Sequence, residues 1–279
     1  MTYAVTAQGA LEYYPCRYGR SRVLFRGPRR PLDDPYIAFL GGTETYGKFI
    51  EAPFPALVER AVGRPCVNLG VVNAGLDLCL NDPSVLDTMG RAAYCVIQVM
   101  GAQNMSNRYY SVHPRRNDRF LRASERLQEL FPEVDFTEFH FNRHMLGQLQ
   151  SLCPDRFHKV TEELRLAWVA RMKHLLTVLG GRAILLWFAD HPPPSKPVDQ
   201  LDGDPLFIDA SMVEALRRRA IRVLEVPKSD TARARGTAGM HFSDFEANAA
   251  AELMGPLAHE EAAEALTEAL TGLLERDAR

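Results

Sequence analysis

Five short apolar runs, separated by stretches of helical periodicity, constrain the fold of this chain more than any other feature of its sequence. They cover residues 36–40, 66–69, 94–100, 183–189 and 221–226. Continuously apolar strands are typical of parallel sheets that are covered by helices on both faces. We therefore predict an α/β fold with three layers, α/β/α, around a mostly parallel five-stranded sheet.

The segments between and around these runs predict the organisation of the chain. A stripe of apolar residues over 157–179 ends at Gly180-Gly181 and indicates a long helix, and leucines over 266–274 indicate a final one. A shorter helix is expected over 210–219. Residues 1–35 are rich in Tyr and Arg and interrupted by prolines, so we expect an extended N-terminal arm. Residues 36–279 are expected to form a single domain with insertions around 104–150 and 190–208.

Composition excludes several classes of function. The 279 residues carry 33 Lys+Arg against 35 Asp+Glu, a net charge of −2, so nothing indicates nucleic acid as a partner. No apolar run approaches the roughly 18 residues of a membrane span. Five cysteines without a Cys-x-x-Cys pair indicate neither a disulfide framework nor a zinc ribbon. We expect a cytoplasmic protein that uses neither a metal nor another cofactor.

The segment after the first apolar run is the strongest candidate for a functional loop. The run stops at Gly41-Gly42, and Thr43, Glu44 and Thr45 follow directly. Open α/β sheets bind ligands at the carboxyl ends of their strands, where these side chains are expected to lie. The alternative is that the glycines only allow the chain to turn.

Four segments occur in an order that resembles one known superfamily. They are Gly-Gly-Thr at 41–43, Asn-Leu-Gly-Val-Val-Asn-Ala-Gly at 68–75, Met-Gly-Ala-Gln-Asn at 100–104, and Gly-Pro-Leu-Ala-His at 255–259. The chain thereby resembles a divergent SGNH (GDSL-like) hydrolase, and it is similar to bacterial proteins of this length without an established activity. The resemblance implies a flavodoxin-like sheet and an esterase or acyltransferase.

The resemblance also implies the roles of individual residues. Thr43 stands where the family has its nucleophile, and His259 stands where it has its general base. Gly75, or alternatively Gly70, and Asn104 correspond to the residues that stabilise the oxyanion. Such roles are chemically coherent, because a hydroxyl needs a base to take its proton and the oxyanion needs fixed donors.

The motifs depart from the family pattern at three positions. Gly42 and Thr43 replace the family's Asp-Ser, and Pro256 replaces the aspartate three residues before the histidine. A β-branched secondary hydroxyl is bulkier, and no carboxylate at 256 can orient His259. The alternative function is therefore a catalytically inactive relative that binds a ligand or a protein through the same cleft.

A basic loop after the third strand predicts the kind of substrate. His113, Arg115, Arg116 and Arg119 lie within seven positions. Guanidinium groups bind phosphate, sulfate and carboxylate groups bidentately. Together with Glu44 and Thr45, these residues are expected to bind a polar, anionic small molecule or glycoconjugate.

A second alternative follows from the spacing of residues 42–48. Gly42 to Lys48 match the G-x-x-x-x-G-K pattern of a phosphate-binding loop, which predicts a nucleotide-dependent phosphoryl or sulfuryl transferase. Phe49 stands where a metal-binding Ser or Thr is required. Pro53 and Pro55 interrupt the segment that should continue as a helix.

Overall fold

The computed structural model describes residues 11–277 and contains a five-stranded parallel sheet. Its order is β2-β1-β3-β6-β7, and all four pairings are parallel. The strands, including a separate antiparallel hairpin of β4 and β5, are β1 Ile37–Gly41, β2 Cys66–Gly70, β3 Tyr94–Gln98, β4 Tyr110–His113, β5 Arg116–Ala123, β6 Ala183–Ala189 and β7 Arg222–Pro227. The predicted fold class is confirmed, and the strand order is the flavodoxin-like one.

Helices connect the strands and cover the sheet. They are α1 Thr43–Tyr46, α2 Phe54–Val62, α3 Leu76–Leu80, α4 Pro83–Arg91, α5 Glu125–Leu130, α6 Asn142–Leu152, α7 Pro154–Val178, α8 Ala210–Glu214, α9 Asp230–Arg235, α10 Ala247–Ala251 and α11 Pro256–Asp277. Helix α7 begins at a proline, and Gly180 and Gly181, with φ of 61° and 76°, follow its end. The helix expected over 210–219 was predicted too long, because Arg217–Arg219 form a 3₁₀ turn.

The alternation of side chains along each strand divides the core into two layers. Ile37 and Phe39 of β1 belong to the same apolar cluster as Leu266 of α11. Ala38 and Leu40 belong to the cluster on the other face, which includes residues of α7. Both faces of the strand are therefore buried, which explains why the run is apolar without interruption.

The two expected insertions differ in regularity. Residues 104–150, expected to be irregular, contain the β4-β5 hairpin and helices α5 and α6. The segment between β6 and α8 has no regular element, but the carboxylate of Asp199 fixes it to α7. Its Oδ1 accepts hydrogen bonds from Thr161 Oγ1 and Arg165 Nη2, each at 2.6 Å.

The N-terminal arm lies against the domain as an extended chain over the residues described, 11–35. It folds back on itself once, through an isolated antiparallel bridge between Cys16 and Phe25. The buried guanidinium of Arg26 then binds the carbonyl oxygens of Tyr46 and Gly47, at the end of α1. Residues 1–10 of the predicted arm lie outside the described residues.

Candidate active site

The loops that follow β1, β2 and β3 meet at the carboxyl edge of the sheet. Thr43 begins the short helix α1 after β1, Asn73 lies in the loop after β2, and Asn104 lies in the loop after β3. Hydrogen bonds join these three residues in a row. The segments that the sequence singled out are thus neighbours in space, as parallel strands require.

Gln98, the last residue of β3, fixes the turn between β1 and α1. Its Oε1 accepts hydrogen bonds from the backbone N–H groups of Gly42 and Thr45, both at 3.1 Å, and from Thr45 Oγ1 at 2.6 Å. Gly41 must be a glycine here, because an added Cβ would lie 2.0 Å from Thr45 Oγ1. The buried amide of Gln98 therefore orients the helix that begins at Thr43.

The Thr43 hydroxyl is half-buried and receives a backbone hydrogen bond. The N–H of Asn73 donates to Thr43 Oγ1 at 3.0 Å, and Asn73 Oδ1 lies 3.3 Å from the same oxygen. Asn73 has φ of 56°, in the left-handed region that asparagine tolerates better than most residues. This conformation directs its N–H at the hydroxyl.

Gly75, the residue expected to stabilise an oxyanion, has a different environment. Its N–H donates to Asn117 Oδ1 at 3.0 Å. A Cβ at this position would lie 1.7 Å from the carbonyl oxygen of Asn104, so glycine is required for the close approach of two loops. The structure thus brings the N–H of Asn73, rather than that of Gly75, to Thr43.

Asn104 lies beside the site, but both ends of its amide have partners. Its Nδ2 donates to the carbonyl oxygen of Asn73 at 3.0 Å, and its Oδ1 accepts from Asn142 Nδ2 at 3.1 Å. The side chain is buried. In this arrangement Asn104 positions the Asn73 loop, and its amide does not point a free donor at Thr43.

His259 is fully buried in the first turn of α11. Its Nδ1 accepts a hydrogen bond from the backbone N–H of Phe54 at 3.1 Å, so the neutral ring carries its proton on Nε2. Nε2 has no hydrogen-bond partner among the described residues and lies 3.8 Å from Glu44 Oε2. The structure therefore brings His259 to Glu44 and does not join it to the Thr43 hydroxyl by a hydrogen bond.

The two polar residues after Thr43 point away from the open edge. The carboxylate of Glu44 accepts a hydrogen bond from the N–H of Met254 at 3.2 Å, just before α11. Thr45 is fully buried on Gln98. The expectation that Thr45 contacts a substrate is contradicted, because its hydroxyl already has a partner and no access to solvent.

The basic loop forms the tip and second strand of the β4-β5 hairpin. Arg115 and Arg116 are exposed, and Arg119 lies 4.9 Å from the centre of the Phe141 ring. His113 Nδ1 accepts the N–H of Arg115 at 3.2 Å. Within residues 11–277, neither Arg115 nor Arg116 forms an ion pair with an acidic side chain, so the two exposed guanidinium groups can meet an anion.

Asp118 connects this hairpin to the candidate site. Its Oδ2 lies 3.4 Å from Asn73 Nδ2, and Asn73 in turn contacts Thr43. The second strand of the basic hairpin therefore contacts the loop that lies beside Thr43. A carboxylate rather than a guanidinium makes the contact.

The geometry of residues 42–48 differs from that of a phosphate-binding loop. Helix α1 contains four residues and ends at Gly47, with φ of 72°. The N–H groups of Gly42 and Thr45 donate to Gln98, and that of Tyr46 donates to the carbonyl oxygen of Gly42. These donors are not available to cradle a phosphate, and no long helix follows to add its dipole.

A family model for a domain of unknown function, DUF6473, matches residues 1–274. The chain belongs to this family. No curated protein matches the chain.

Several solved structures are similar to this member of the DUF6473 family. A lipase, Lip_vut3, from a goat rumen metagenome has 10% identity and a TM-score of 0.46, over 85% of this chain and 97% of that one. A lipase/acylhydrolase from Enterococcus faecalis has 13% identity and a TM-score of 0.43, over 86% and 96%. A carbohydrate esterase family 2 enzyme with a carbohydrate-binding domain, from Corynascus thermopiles, has 12% identity and a TM-score of 0.41, over 88% and 69%.

Two further observations bear on cofactors and membranes. Within residues 11–277, no group of three or more His, Cys, Asp or Glu side chains is arranged to hold a metal ion. In the same part of the chain, none of the helices has the length and apolar character needed to cross a bilayer.

The sequence reasoning missed three residues that shape this site of the DUF6473 chain: Gln98, Asn73 and Asp118. Gln98 is a polar residue at the end of an otherwise apolar strand, which is a signal that could have been used. Asn73 stands between Val-Val and Ala-Gly, a position where asparagine often adopts a left-handed turn conformation. The contact of Asp118 with Asn73 depends on how the β4-β5 hairpin folds, and no sequence pattern indicates it.

Proposed function

We propose that this protein is a divergent SGNH-like hydrolase, an esterase or acyltransferase, in which Thr43 is the reacting hydroxyl. The observation that carries the proposal is the hydrogen bond from the Asn73 N–H to Thr43 Oγ1, at 3.0 Å, on a half-buried threonine at the carboxyl end of β1. A hydroxyl in this place is partly accessible to solvent. It also has a fixed backbone donor beside it.

The chemistry would run in two steps. Thr43 Oγ1 attacks the acyl carbonyl carbon while a base takes the hydroxyl proton, and the carbonyl electrons move onto the oxygen. Expulsion of the alcohol, which receives that proton, leaves an ester on Thr43. Water or a second alcohol then attacks this ester, giving hydrolysis or acyl transfer and restoring the threonine.

The Asn73 N–H supports this reaction because it lies beside the attacking oxygen. An N–H group that donates to the tetrahedral oxyanion typically lowers the barrier by about 2.7 to 4 kcal/mol. Gly75 and Asn104 were expected as oxyanion donors. In the proposal they act through Asn73, since Asn104 Nδ2 holds the Asn73 carbonyl oxygen and Gly75 permits the two loops to approach.

His259 enters the proposal through Glu44. Its Nε2 lies 3.8 Å from Glu44 Oε2, and Glu44 follows Thr43 directly in the chain. In the proposal the Glu44 carboxylate takes the Thr43 proton, directly or through a water molecule, and the Nε2–H of His259 faces that carboxylate and stabilises its charge. His241 is the other histidine to test. Its backbone N–H donates to the carbonyl oxygen of Phe49, which follows α1 closely, and its ring is partly exposed.

The proposed substrate is a polar small molecule or glycoconjugate with a negatively charged group. Support comes from Arg115 and Arg116, which are exposed on the hairpin that Asp118 joins to Asn73. Exposed guanidinium groups at that edge would hold a phosphate, sulfate or carboxylate of the substrate. We propose a cytoplasmic location, which is supported by the free cysteines in the described part of the chain.

One observation favours a second function, a ligand-binding protein without catalysis. The lone pair of His259 on Nδ1 is already occupied by the Phe54 N–H, and the ring is fully buried. A base in this state cannot accept a proton directly from Thr43. A cleft with an unactivated hydroxyl and nearby arginines would then bind an anionic molecule and release it unchanged.

A panel of short acyl p-nitrophenyl esters would separate the two functions. The wild type is compared with Thr43→Ala, Thr43→Ser, His259→Gln and His241→Ala, and Thr177→Ala on the exposed face of α7 is the matched control. The enzyme proposal expects turnover that is lost in Thr43→Ala, rises in Thr43→Ser and is unchanged in Thr177→Ala. Intact mass after fluorophosphonate treatment reports the reactive hydroxyl.

The two histidine variants show which histidine assists the transfer of the Thr43 proton. Loss of turnover in His259→Gln with an unchanged Tm supports the path through Glu44, whereas loss only in His241→Ala assigns the base to that residue. No turnover and no labelling in the wild type and in Thr43→Ser would reject the enzyme. The binding function would then be tested with anionic metabolites.

A further inference from the structure

A cavity of about 270 Å³ lies between the N-terminal arm and the start of helix α2. We call it the arm cavity. It is lined by Glu12, Tyr14, Arg26 and Arg30 on one side and by Glu51, Ala56 and Arg60 among others on the other side. A space of this size is large enough for a small organic anion.

Arg26 is a buried cation in the wall of this cavity. Its side chain is 7% exposed, and its guanidinium donates to the backbone carbonyl oxygens of Tyr46, Gly47 and Glu51. These partners satisfy hydrogen bonds but carry no net charge. Burial lowers the pKa of Arg26, which reflects the cost of keeping the charge away from water.

No acidic side chain of the described residues forms an ion pair with Arg26. Residues 1–10, which the structure does not describe, contain neither Asp nor Glu. A buried charge is normally paired or coordinated by an ion, because its desolvation is costly. The guanidinium of Arg26 therefore carries a positive charge that no ion pair with a described residue neutralises.

The other charged residues of the cavity leave room for an anion. Arg60 is exposed and has no ion-pair partner in the described part of the chain, while Arg30 binds Glu59. Glu12 and Glu51 are both exposed, so water and salt screen them more than they screen Arg26. The side chain of Glu12 also accepts the N–H of Tyr14 at 3.1 Å.

We propose that the arm cavity binds a small anion through a carboxylate or phosphate group placed between Arg26 and Arg60. The lining also includes Pro53, Pro55 and Ala56, which give the ligand an apolar surface. The inference does not depend on the chemistry of Thr43. It concerns a site on the other side of α1, where Arg26 holds the carbonyl end of that helix.

Calorimetric titration and thermal unfolding with two probes, inorganic phosphate and acetate, test the site. Sodium chloride at equal ionic strength corrects for general salt effects. We expect a saturable binding isotherm for at least one probe and a rise in Tm of a few degrees at saturation. The more effective probe identifies the anionic group that the cavity accepts.

Three variants localise the binding. Arg60→Gln removes one charge-assisted hydrogen bond and is expected to weaken binding about tenfold or more. Ala56→Leu fills the cavity without changing its charge and is expected to abolish binding. Arg17→Gln, an exposed arm residue outside the cavity, is the matched control and keeps the wild-type affinity.

The outcomes that overturn the proposal are equally concrete. The proposal is wrong if phosphate and acetate raise the Tm no more than chloride does. It is also wrong if Ala56→Leu binds the probes with the same affinity as the wild type. Equal losses in Arg60→Gln and Arg17→Gln would also overturn it, because they would indicate attraction to the arm's general positive charge.

Discussion

Replacing Gln98 with methionine tests whether one buried amide holds the loop that carries Thr43. The substitution keeps the length of the side chain but removes the acceptor of three hydrogen bonds, from the N–H groups of Gly42 and Thr45 and from the Thr45 hydroxyl. The two backbone donors cannot rotate to other partners. At about 1 to 2 kcal/mol for each orphaned donor, we expect the free energy of unfolding to fall by about 3 kcal/mol.

The assay is denaturation in urea, followed by fluorescence of the two tryptophans. Gln128→Met, an exposed glutamine on α5, is the matched control and should stay within about 0.5 kcal/mol of the wild type. A loss below about 1 kcal/mol for Gln98→Met, at an unchanged slope with urea, would refute the reasoning.

A double-mutant cycle with Thr45→Val isolates the hydroxyl. The valine variant alone should cost about 1 kcal/mol, because a buried hydrogen bond to Gln98 is lost. In the Gln98→Met background the same change removes an orphaned hydroxyl and should cost little or nothing. Additive effects, with a coupling energy below about 0.3 kcal/mol, would show that the two side chains do not act on each other.

Three further predictions concern other parts of the chain. Gly75→Ala should unfold the protein or lower its Tm strongly, because the new Cβ would lie 1.7 Å from a carbonyl oxygen. Gly90→Ala, where the new Cβ would have nothing within 4 Å, should be neutral or stabilising. Thermal unfolding of both variants checks this. Burial opposes the ionisation of Asp199, but hydrogen bonds from α7 lower the pKa of its carboxyl group below the ordinary value. The carboxylate should therefore contribute fully to stability above about pH 3.9, and this contribution should be lost as the pH falls through the lowered pKa. Asp199→Asn should flatten the acid limb of a stability curve measured between pH 6 and 2. A hydrogen bond from Arg156 lowers the pKa of the Cys153 thiol, so iodoacetamide should modify Cys153 before the three buried cysteines, as timed mass spectrometry can show.

Most of the sheet could be predicted from the sequence because four of its strands, β1, β2, β3 and β6, are buried on both faces. The edge strand β7 is only partly buried. The run at 183–189 coincides with β6, and the run at 94–100 exceeds β3 by two residues. Val99 and Met100 remain buried after the strand has ended, so apolarity alone could not mark its last residue. The helix expected to 219 failed for a related reason, because composition does not distinguish an α-helix from a 3₁₀ turn over three arginines.

The partners within the candidate site could be predicted only in part. Parallel strands bring the loops after β1, β2 and β3 to one edge, which the sequence indicated correctly. Which N–H reaches Thr43 depends on backbone angles, and the left-handed conformation of Asn73 decides it. His259 lies in the first turn of α11, and its ring is held by the backbone N–H of Phe54, which is far away in sequence.

Helix α1 shows why the two proposed sites are physically related. Four residues are too few to form a stable helix alone, since nucleation is unfavourable and few hydrogen bonds follow it. Gln98 binds N–H groups at its start, and Arg26 binds the carbonyl oxygens of Tyr46 and Gly47 at its end. The position of Thr43 therefore depends on a strand residue on one side and on an arm residue on the other. An anion that binds Arg26 in the arm cavity would act on the same helix that presents Thr43, so ligand binding there and reactivity at Thr43 can be coupled through α1.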